Sequence, residues 1–70
     1  MSSFAYRLRE ARKRAGFTQE QLALRVGLKR QSIGAMEREG GVERTGKLME
    51  IAESLGVRPQ WLQMGEEPIR

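Results

Sequence analysis

The side chains that could do chemistry in this chain are of few kinds and are rich in hydrogen-bond donors. The 70 residues contain no Cys and no His, and Asp and Asn are absent as well. This composition excludes disulfides, Cys/His metal sites and imidazole acid–base catalysis. The remaining Glu, Ser, Thr, Tyr, Lys and Arg form no paired acid and base on a visible motif. The sequence therefore predicts a protein that is not an enzyme and has no catalytic residues, metal site or cofactor.

Positive charge is concentrated in the first half of the chain. Residues 1–30 hold eight Lys/Arg against two Glu, whereas residues 31–70 hold five against seven. A basic region suits contact with a polyphosphate, because each Lys or Arg that meets a phosphate releases counterions. A solvated basic helix is the alternative interpretation. The charge alone favours nucleic acid only slightly.

A phosphate-binding loop is the rival motif. The segment GVERTGK, residues 41–47, satisfies the first seven places of a P-loop, but Leu48 stands where Ser or Thr should hold magnesium. The segment also follows a predicted helix instead of a strand, and 70 residues cannot form the parallel sheet that such loops require. We therefore expect no nucleotide or other small-molecule ligand.

Apolar residues recur at helical spacing and predict five short helices, hence an all-α fold. Thr18 and Gln21 fit a capping box at the start of the second helix, and Gly27 suits the sharp turn at its end. The predicted helices cover about residues 4–15, 19–26, 29–38, 45–55 and 59–64. The tail, residues 66–70, is expected to fray. No apolar run approaches the ~20 residues that span a bilayer, so a soluble cytoplasmic protein without membrane contact is expected.

The second and third helices form a unit from Thr18 to Glu37, interrupted at Gly27. Two short amphipathic helices with such a break are typical of a helix-turn-helix, which presents its second helix to the major groove of DNA. The unit therefore predicts a partner, double-stranded DNA.

Around this unit the chain resembles the lambdoid phage repressor and Cro proteins. The resemblance covers nearly the whole chain, through RLREARKRAGFTQEQLALRVGLKRQSIGAMERE and LMEIAESLGVRPQWLQMG. It implies a compact five-helix, lambda-repressor-like domain over residues 1–65 with its helix-turn-helix at 18–38. It also implies a transcriptional regulator of the phage or prophage repressor type that binds a pseudo-palindromic operator as a homodimer through the major groove. The chain would be Cro-like if complete, or the DNA-binding domain of a larger repressor. An antitoxin-like protein-interaction module is the alternative.

The outward side of the third predicted helix carries the expected base contacts. Its inward side is set by Ile33 and Met36. By geometry Arg30 can donate a bidentate pair to guanine, Gln31 can pair with adenine, and Ala35 can contact a thymine methyl. In the alternative interpretation these side chains are the solvated face of a surface helix.

Lys29 departs from the family pattern. It stands where the family often has a capping hydroxyl, and a Lys side chain cannot accept a hydrogen bond. We expect the third helix to start loosely, with Lys29 free to reach a base or a phosphate.

Phosphate contacts are expected on both sides of the base-contacting residues. Gln19 lies in the first turn of the second helix, beside free amides and the positive end of the helix dipole. Ser32 can contact phosphate, since no His is present to make it a nucleophile. Through the resemblance, Arg44 and Lys47 fall in the family's backbone-contacting segment. The full predicted set of phosphate-binding residues is Gln19, Ser32, Arg44, Lys47 and Arg12.

The remaining expectations concern structural contacts. The resemblance implies that Arg12 pairs with Glu37, an interaction worth little if exposed and a great deal if buried. Phe17 and Trp61 are predicted to be core aromatics, because each falls on an apolar helical pattern. The resemblance also places the dimer interface near the connection of the fourth and fifth helices, with these candidates: Arg58, Pro59 and Leu62.

Overall fold

A computed structural model describes residues 2–70 as a bundle of α-helices. The helices are α1 Phe4–Arg14, α2 Gln19–Val26, α3 Arg30–Met36, α4 Leu48–Leu55 and α5 Pro59–Met64. Across residues 2–70 there are five helices and no strand, which confirms the predicted all-α fold. No helix in this range is long and apolar enough to cross a membrane.

The turn between α2 and α3 is encoded locally. Thr18 Oγ1 accepts a hydrogen bond from the Gln21 amide at 3.0 Å, and Gln21 Oε1 accepts one from the Thr18 amide at 2.9 Å. This reciprocal pair confirms the predicted capping box. The helix ends at Gly27, whose φ of 73° lies in the left-handed region that glycine adopts without steric cost. The Leu28 amide then donates to the Ala23 carbonyl at 2.8 Å and closes the turn.

The third and fourth helices are shorter than predicted. The third helix spans 30–36 instead of 29–38, and the fourth begins at Leu48 instead of near Thr45. A side chain explains the later start, because the carboxylate of Glu43 accepts hydrogen bonds from the amides of Thr45 and Lys47. Hydrogen bonds of this kind compete with helix formation and keep residues 43–47 in a loop.

The core fixes the orientation of α3. Six large side chains are completely buried, and together they come from all five helices: Leu8, Leu22, Ile33, Met36, Ile51 and Leu62. Burial of each such side chain stabilises the fold by about 1.5–3 kcal/mol. Two of the six belong to α3, so the opposite side of this short helix must face outward. Phe17 and Trp61 are half-buried and pack against the same core, as predicted.

The last residues of the chain fold back onto the start of α5. The amide of Arg58 donates to the Ile69 carbonyl at 2.7 Å, and Arg58 Nε donates to the Arg70 carbonyl at 3.1 Å. Ile69 and Arg70 also line a cleft between α1 and α5 with Tyr6 and other residues. In this structure the tail makes hydrogen bonds to Arg58, and fraying of the tail stays a prediction.

Two glycines should respond oppositely to an added methyl group. At Gly34, in the middle of α3, a Cβ would meet Gln19 Oε1 at an ordinary 3.5 Å. At Gly41 a Cβ would lie 2.3 Å from the Met36 carbonyl oxygen, so the backbone must shift. We expect Gly34→Ala to raise the free energy of unfolding by about 0.5–1 kcal/mol, because glycine is a poor helix former. Gly41→Ala should lower it by about 1–3 kcal/mol.

Urea denaturation followed by circular dichroism measures both changes. Equal effects of the two substitutions, or a stabilising Gly41→Ala, would contradict the packing described at these sites.

Candidate nucleic-acid interface

The first residues of α3 lie on the surface of the helix-turn-helix. Lys29, Arg30 and Gln31 are exposed, whereas Ser32 and Ala35 are half-buried on the flanks. These five residues are called the α3 outer surface below. Its side chains offer hydrogen-bond donors at the front and a methyl group further along, which are groups that can meet base edges. Their roles as base or phosphate contacts remain predictions.

Lys29 is the N-cap residue of α3 and makes no side-chain capping hydrogen bond. It adopts an extended backbone conformation, with φ −87° and ψ 151°. The absence of a cap agrees with the sequence-based expectation for this position. The Lys29 side chain is exposed and is therefore available to a ligand at the helix start.

A buried ion pair holds the end of α3. Arg12 Nε donates to Glu37 Oε2 at 2.7 Å, and Arg12 Nη2 donates to Glu37 Oε1 at 3.0 Å. The side chains are 10% and 3% exposed, so this bidentate pair is shielded from water. Arg12 Nη1 also donates to the Phe17 carbonyl at 2.8 Å. The pair implied by the family resemblance is therefore present, and it joins α1 to α3.

The burial of Arg12 corrects one predicted role. Arg12 is one of the residues predicted to bind phosphate, but only 8% of its surface is exposed. Each of its three guanidinium nitrogens donates to Glu37 or Phe17. Arg12 is therefore part of the scaffold and not a phosphate contact.

Gln19 extends the buried pair toward the surface. Its Nε2 donates to Glu37 Oε1 at 3.1 Å, so Gln19, Glu37 and Arg12 form one cluster, called the Glu37 cluster below. Gln19 is half-buried at the start of α2. An amide nitrogen carries two hydrogens, and the second can still donate to a phosphate. The phosphate contact of Gln19 stays a prediction, and the structure adds a positioning contact that the sequence did not indicate.

The loop before α4 has its own fixed carboxylate. Glu43 Oε2 accepts hydrogen bonds from Thr45 Oγ1 at 2.6 Å, from the Thr45 amide at 2.8 Å and from the Lys47 amide at 3.4 Å. This is the segment that resembles a P-loop in sequence. Here an internal carboxylate occupies amides that a P-loop would offer to a phosphate.

The same loop lies beside the turn of the helix-turn-helix. Lys47 is half-buried, and its Nζ lies 3.7 Å from the position that a Cβ on Gly27 would take. Arg44 is exposed. Lys47, one of the two cations predicted to bind phosphate in this loop, therefore borders the α2–α3 turn at Gly27, two residues before Lys29.

Arg7 is a structural residue that sequence reasoning missed. It was counted only as one of the basic residues of the first half, yet it is 6% exposed. Its Nε donates to the Leu62 carbonyl at 3.0 Å and its Nη2 to the Gln63 carbonyl at 2.9 Å. Its Nη1 donates to the Ser2 carbonyl. Burial lowers the pKa of Arg7. The side chain thus caps the carbonyl end of α5, and no local signal could have revealed these partners.

The predicted dimer residues lie in different environments. Arg58 is exposed and Pro59 is half-buried at the start of α5, where the tail also contacts Arg58. Leu62 is 0% exposed and belongs to the core. A fully buried side chain cannot contact a second copy, so the assignment of Leu62 to a dimer interface was wrong.

Sequence comparison finds a family model and relatives that the chain is similar to. The family model described as helix-turn-helix matches residues 8–62. The HTH-type transcriptional regulator PrtR of Pseudomonas aeruginosa is 44% identical over 64 residues, which cover 91% of this chain and 25% of that protein. The HTH-type transcriptional regulator for conjugative element SXT of Vibrio cholerae is 39% identical over 69 residues, covering 99% of this chain and 32% of that protein. The chain belongs to the helix-turn-helix family.

Structural comparison supports the same assignment. The P22 c2 repressor protein, solved in complex with synthetic operator 9T, matches with a TM-score of 0.83 at 24% identity. The match covers 94% of this chain and 100% of that chain. It confirms the predicted lambda-repressor-like fold. The chain spans about a quarter to a third of the length of the curated relatives that it matches.

Removal of the Glu37 carboxylate should strongly destabilise the domain. Glu37→Ala leaves the Arg12 guanidinium buried without a counter-charge, which typically costs about 3–5 kcal/mol. Denaturation with urea should show this loss as a lower midpoint. The control is Glu39→Ala, an exposed position two residues later, where we expect a change within about 0.5 kcal/mol. Similar midpoints for the two variants would show that the pair contributes little.

Glu43 should make the free energy of unfolding depend on pH in the acidic range. Partial burial alone would raise the pKa of Glu43, but hydrogen bonds from the Thr45 side chain and from the amides of residues 45–47 outweigh it and lower the pKa below its ordinary 4.5. A carboxyl whose pKa is lower in the folded than in the unfolded state stabilises the fold. Its full contribution is present at pH values above the unfolded-state pKa, and it is lost as the pH falls through the folded-state pKa.

The comparison of wild type with Glu43→Gln measures this contribution. We expect wild type to have the higher Tm near neutral pH, and the difference should narrow as the pH falls below about 4.5. A difference that stays constant down to about pH 3 would show that ionisation of Glu43 does not stabilise the loop.

Proposed function

We propose that this chain is a sequence-specific, double-stranded DNA-binding transcriptional regulator of the repressor type. The α3 outer surface enters the major groove, where Arg30 and Gln31 contact base edges and Lys29 contacts a base or a neighbouring phosphate. Gln19, Ser32, Arg44 and Lys47 contact the DNA backbone and fix the position of α3. Such a regulator acts on DNA in the cytoplasm of a bacterial cell.

The observation that carries the proposal is the division of α3 into two sides. Ile33 and Met36 are completely buried, whereas the three consecutive donors at the helix start are exposed. The buried side and the Glu37 cluster keep the short helix in place, so its donors can approach base edges with little loss of conformational entropy on binding. Similarity to regulators named as HTH-type transcriptional regulators, and to a repressor solved with an operator, supports the same function.

We further propose that the chain binds its operator as a homodimer. A domain with a seven-residue recognition helix contacts only a few base pairs, and a two-fold pair of such domains doubles the recognised length. The operator would then be a pseudo-palindrome with half-site centres ~34 Å apart, one turn of DNA. Arg58 and Pro59 are the remaining candidates from the predicted interface.

Binding to random DNA and selection from a random pool test the function. Randomised duplex DNA should bind at low salt, and its affinity should fall steeply as salt rises, because phosphate contacts release counterions. Selection should then enrich inverted repeats. Undetectable binding at every salt concentration would refute DNA binding and favour the protein-interaction module. Enrichment of single, unpaired sites would refute the dimer.

Two glutamines should have different roles on DNA. We expect Gln31→Ala to reduce discrimination at one half-site position by ~1–3 kcal/mol, because the amide that pairs with a base is removed. Gln19→Ala should weaken operator and random DNA about equally, because a phosphate contact carries no sequence information.

Electrophoretic or fluorescence binding assays with operator and single-base variants measure both effects. The matched control is Gln60→Ala, an exposed amide on α5 that should leave binding unchanged. Because Gln19 also donates to Glu37, the unfolding midpoint of its variant is measured alongside. Equal loss of affinity for every sequence with both substitutions would contradict the division into base and phosphate contacts.

A further inference from the structure

Glu43 is a charged residue that the proposed DNA contacts do not use. It lies in the loop that carries Arg44 and Lys47, both predicted to contact phosphate. Its carboxylate is held by the Thr45 hydroxyl at 2.6 Å and by the Thr45 amide at 2.8 Å, with the Lys47 amide at 3.4 Å. The three donors fix the negative charge in place within the loop.

The position of the loop brings this charge close to the proposed DNA surface. Lys47 Nζ lies beside Gly27, and Gly27 precedes Lys29 by two residues. Helices α2 and α4 also pack against one another. The Lys47 end of this loop therefore lies beside the turn that leads into the α3 outer surface. At physiological salt, charges attract over about 8–10 Å.

A fixed carboxylate at this place lowers the attraction of the loop for phosphate. Over residues 43–47 two cations, Arg44 and Lys47, are offset by one anion, so half of their charge is neutralised. Sequence-independent DNA binding depends almost wholly on such charge, whereas operator binding has base contacts from α3 in addition.

We propose that Glu43 limits sequence-independent DNA binding by offsetting Arg44 and Lys47 at the edge of the α3 outer surface. Glu43 acts through the electrostatics of its loop and touches no base. The inference rests on the proposed function, since it concerns the strength of a DNA contact.

Glu43→Gln tests this role with random duplex DNA at two salt concentrations. The variant should bind more tightly than wild type, because the loop gains the equivalent of one phosphate contact. One additional contact steepens the dependence of affinity on salt, so the ratio of variant to wild-type affinity should fall about threefold between about 50 and about 200 mM salt. A purely structural role would instead lower affinity and leave the salt dependence unchanged.

Glu53→Gln is the matched control. It removes the same charge from an exposed position in the last turn of α4, at the opposite end of that helix from Lys47. Its affinity ratio should stay close to one at both salt concentrations. Glu43→Ala serves as a second variant, because it removes the carboxylate without leaving an amide, and the same ratio change is expected if charge is the cause.

The outcomes separate this inference from the proposed function. If wild-type protein binds no DNA, the proposed function fails. If wild type binds DNA and Glu43→Gln behaves like Glu53→Gln, or binds more weakly than wild type, the role of Glu43 is refuted while the proposed function stands.

Discussion

The buried ion pair of Arg12 and Glu37 connects three of the five helices. It joins α1 to the residue that ends α3, and through Gln19 it reaches the first turn of α2. A charged pair shielded from water tolerates little displacement, because its hydrogen bonds compensate for the lost hydration only in good geometry. The angle between α2 and α3 therefore depends on two buried side chains, Arg12 and Glu37. Gln19 belongs both to this cluster and to the proposed phosphate contacts, so the scaffold and the proposed interface share a residue.

Some basic residues of the first half of the chain stabilise the fold, and so they are not available to bind phosphate. Two of its arginines, Arg7 and Arg12, are buried and donate to carbonyl or carboxylate oxygens inside the domain. A third, Arg25, lies 5.0 Å from the centre of the Phe17 ring, a distance typical of a cation–π contact. The net charge therefore overestimates the number of cations that can meet phosphate, because a buried arginine donates several hydrogen bonds inside the domain.

Features that depend on neighbouring residues were predictable from the sequence. The capping box of Thr18, the left-handed Gly27 and the inward side of α3 are set within a few residues, and all agree with the structure. The start of α4 was misplaced because the hydrogen bonds of Glu43 outweigh helix propensity in residues 43–47. Contacts of Arg7 with α5 and of the tail with Arg58 join residues far apart in sequence, and no periodicity reveals them. The outward position of Lys29, Arg30 and Gln31 was predictable. The bases that they are proposed to contact were not, because these depend on how a recognition helix sits in the groove.

The guanidinium of Arg7 brings the beginning and the end of the described chain together. It donates to the Ser2 carbonyl and to the carbonyls of Leu62 and Gln63. These last two residues lie 55 and 56 positions after Arg7 in the sequence. Ser2 and Arg70 also line the same cleft. A short linker could therefore join the two ends, and the chain could be reopened in an exposed loop such as Glu39–Gly40, as in a circular permutant. In that permutant α1 would follow α5 closely in sequence, so their contact would become local. Folding of the permutant would then show whether the order in which the helices associate depends on their order along the chain.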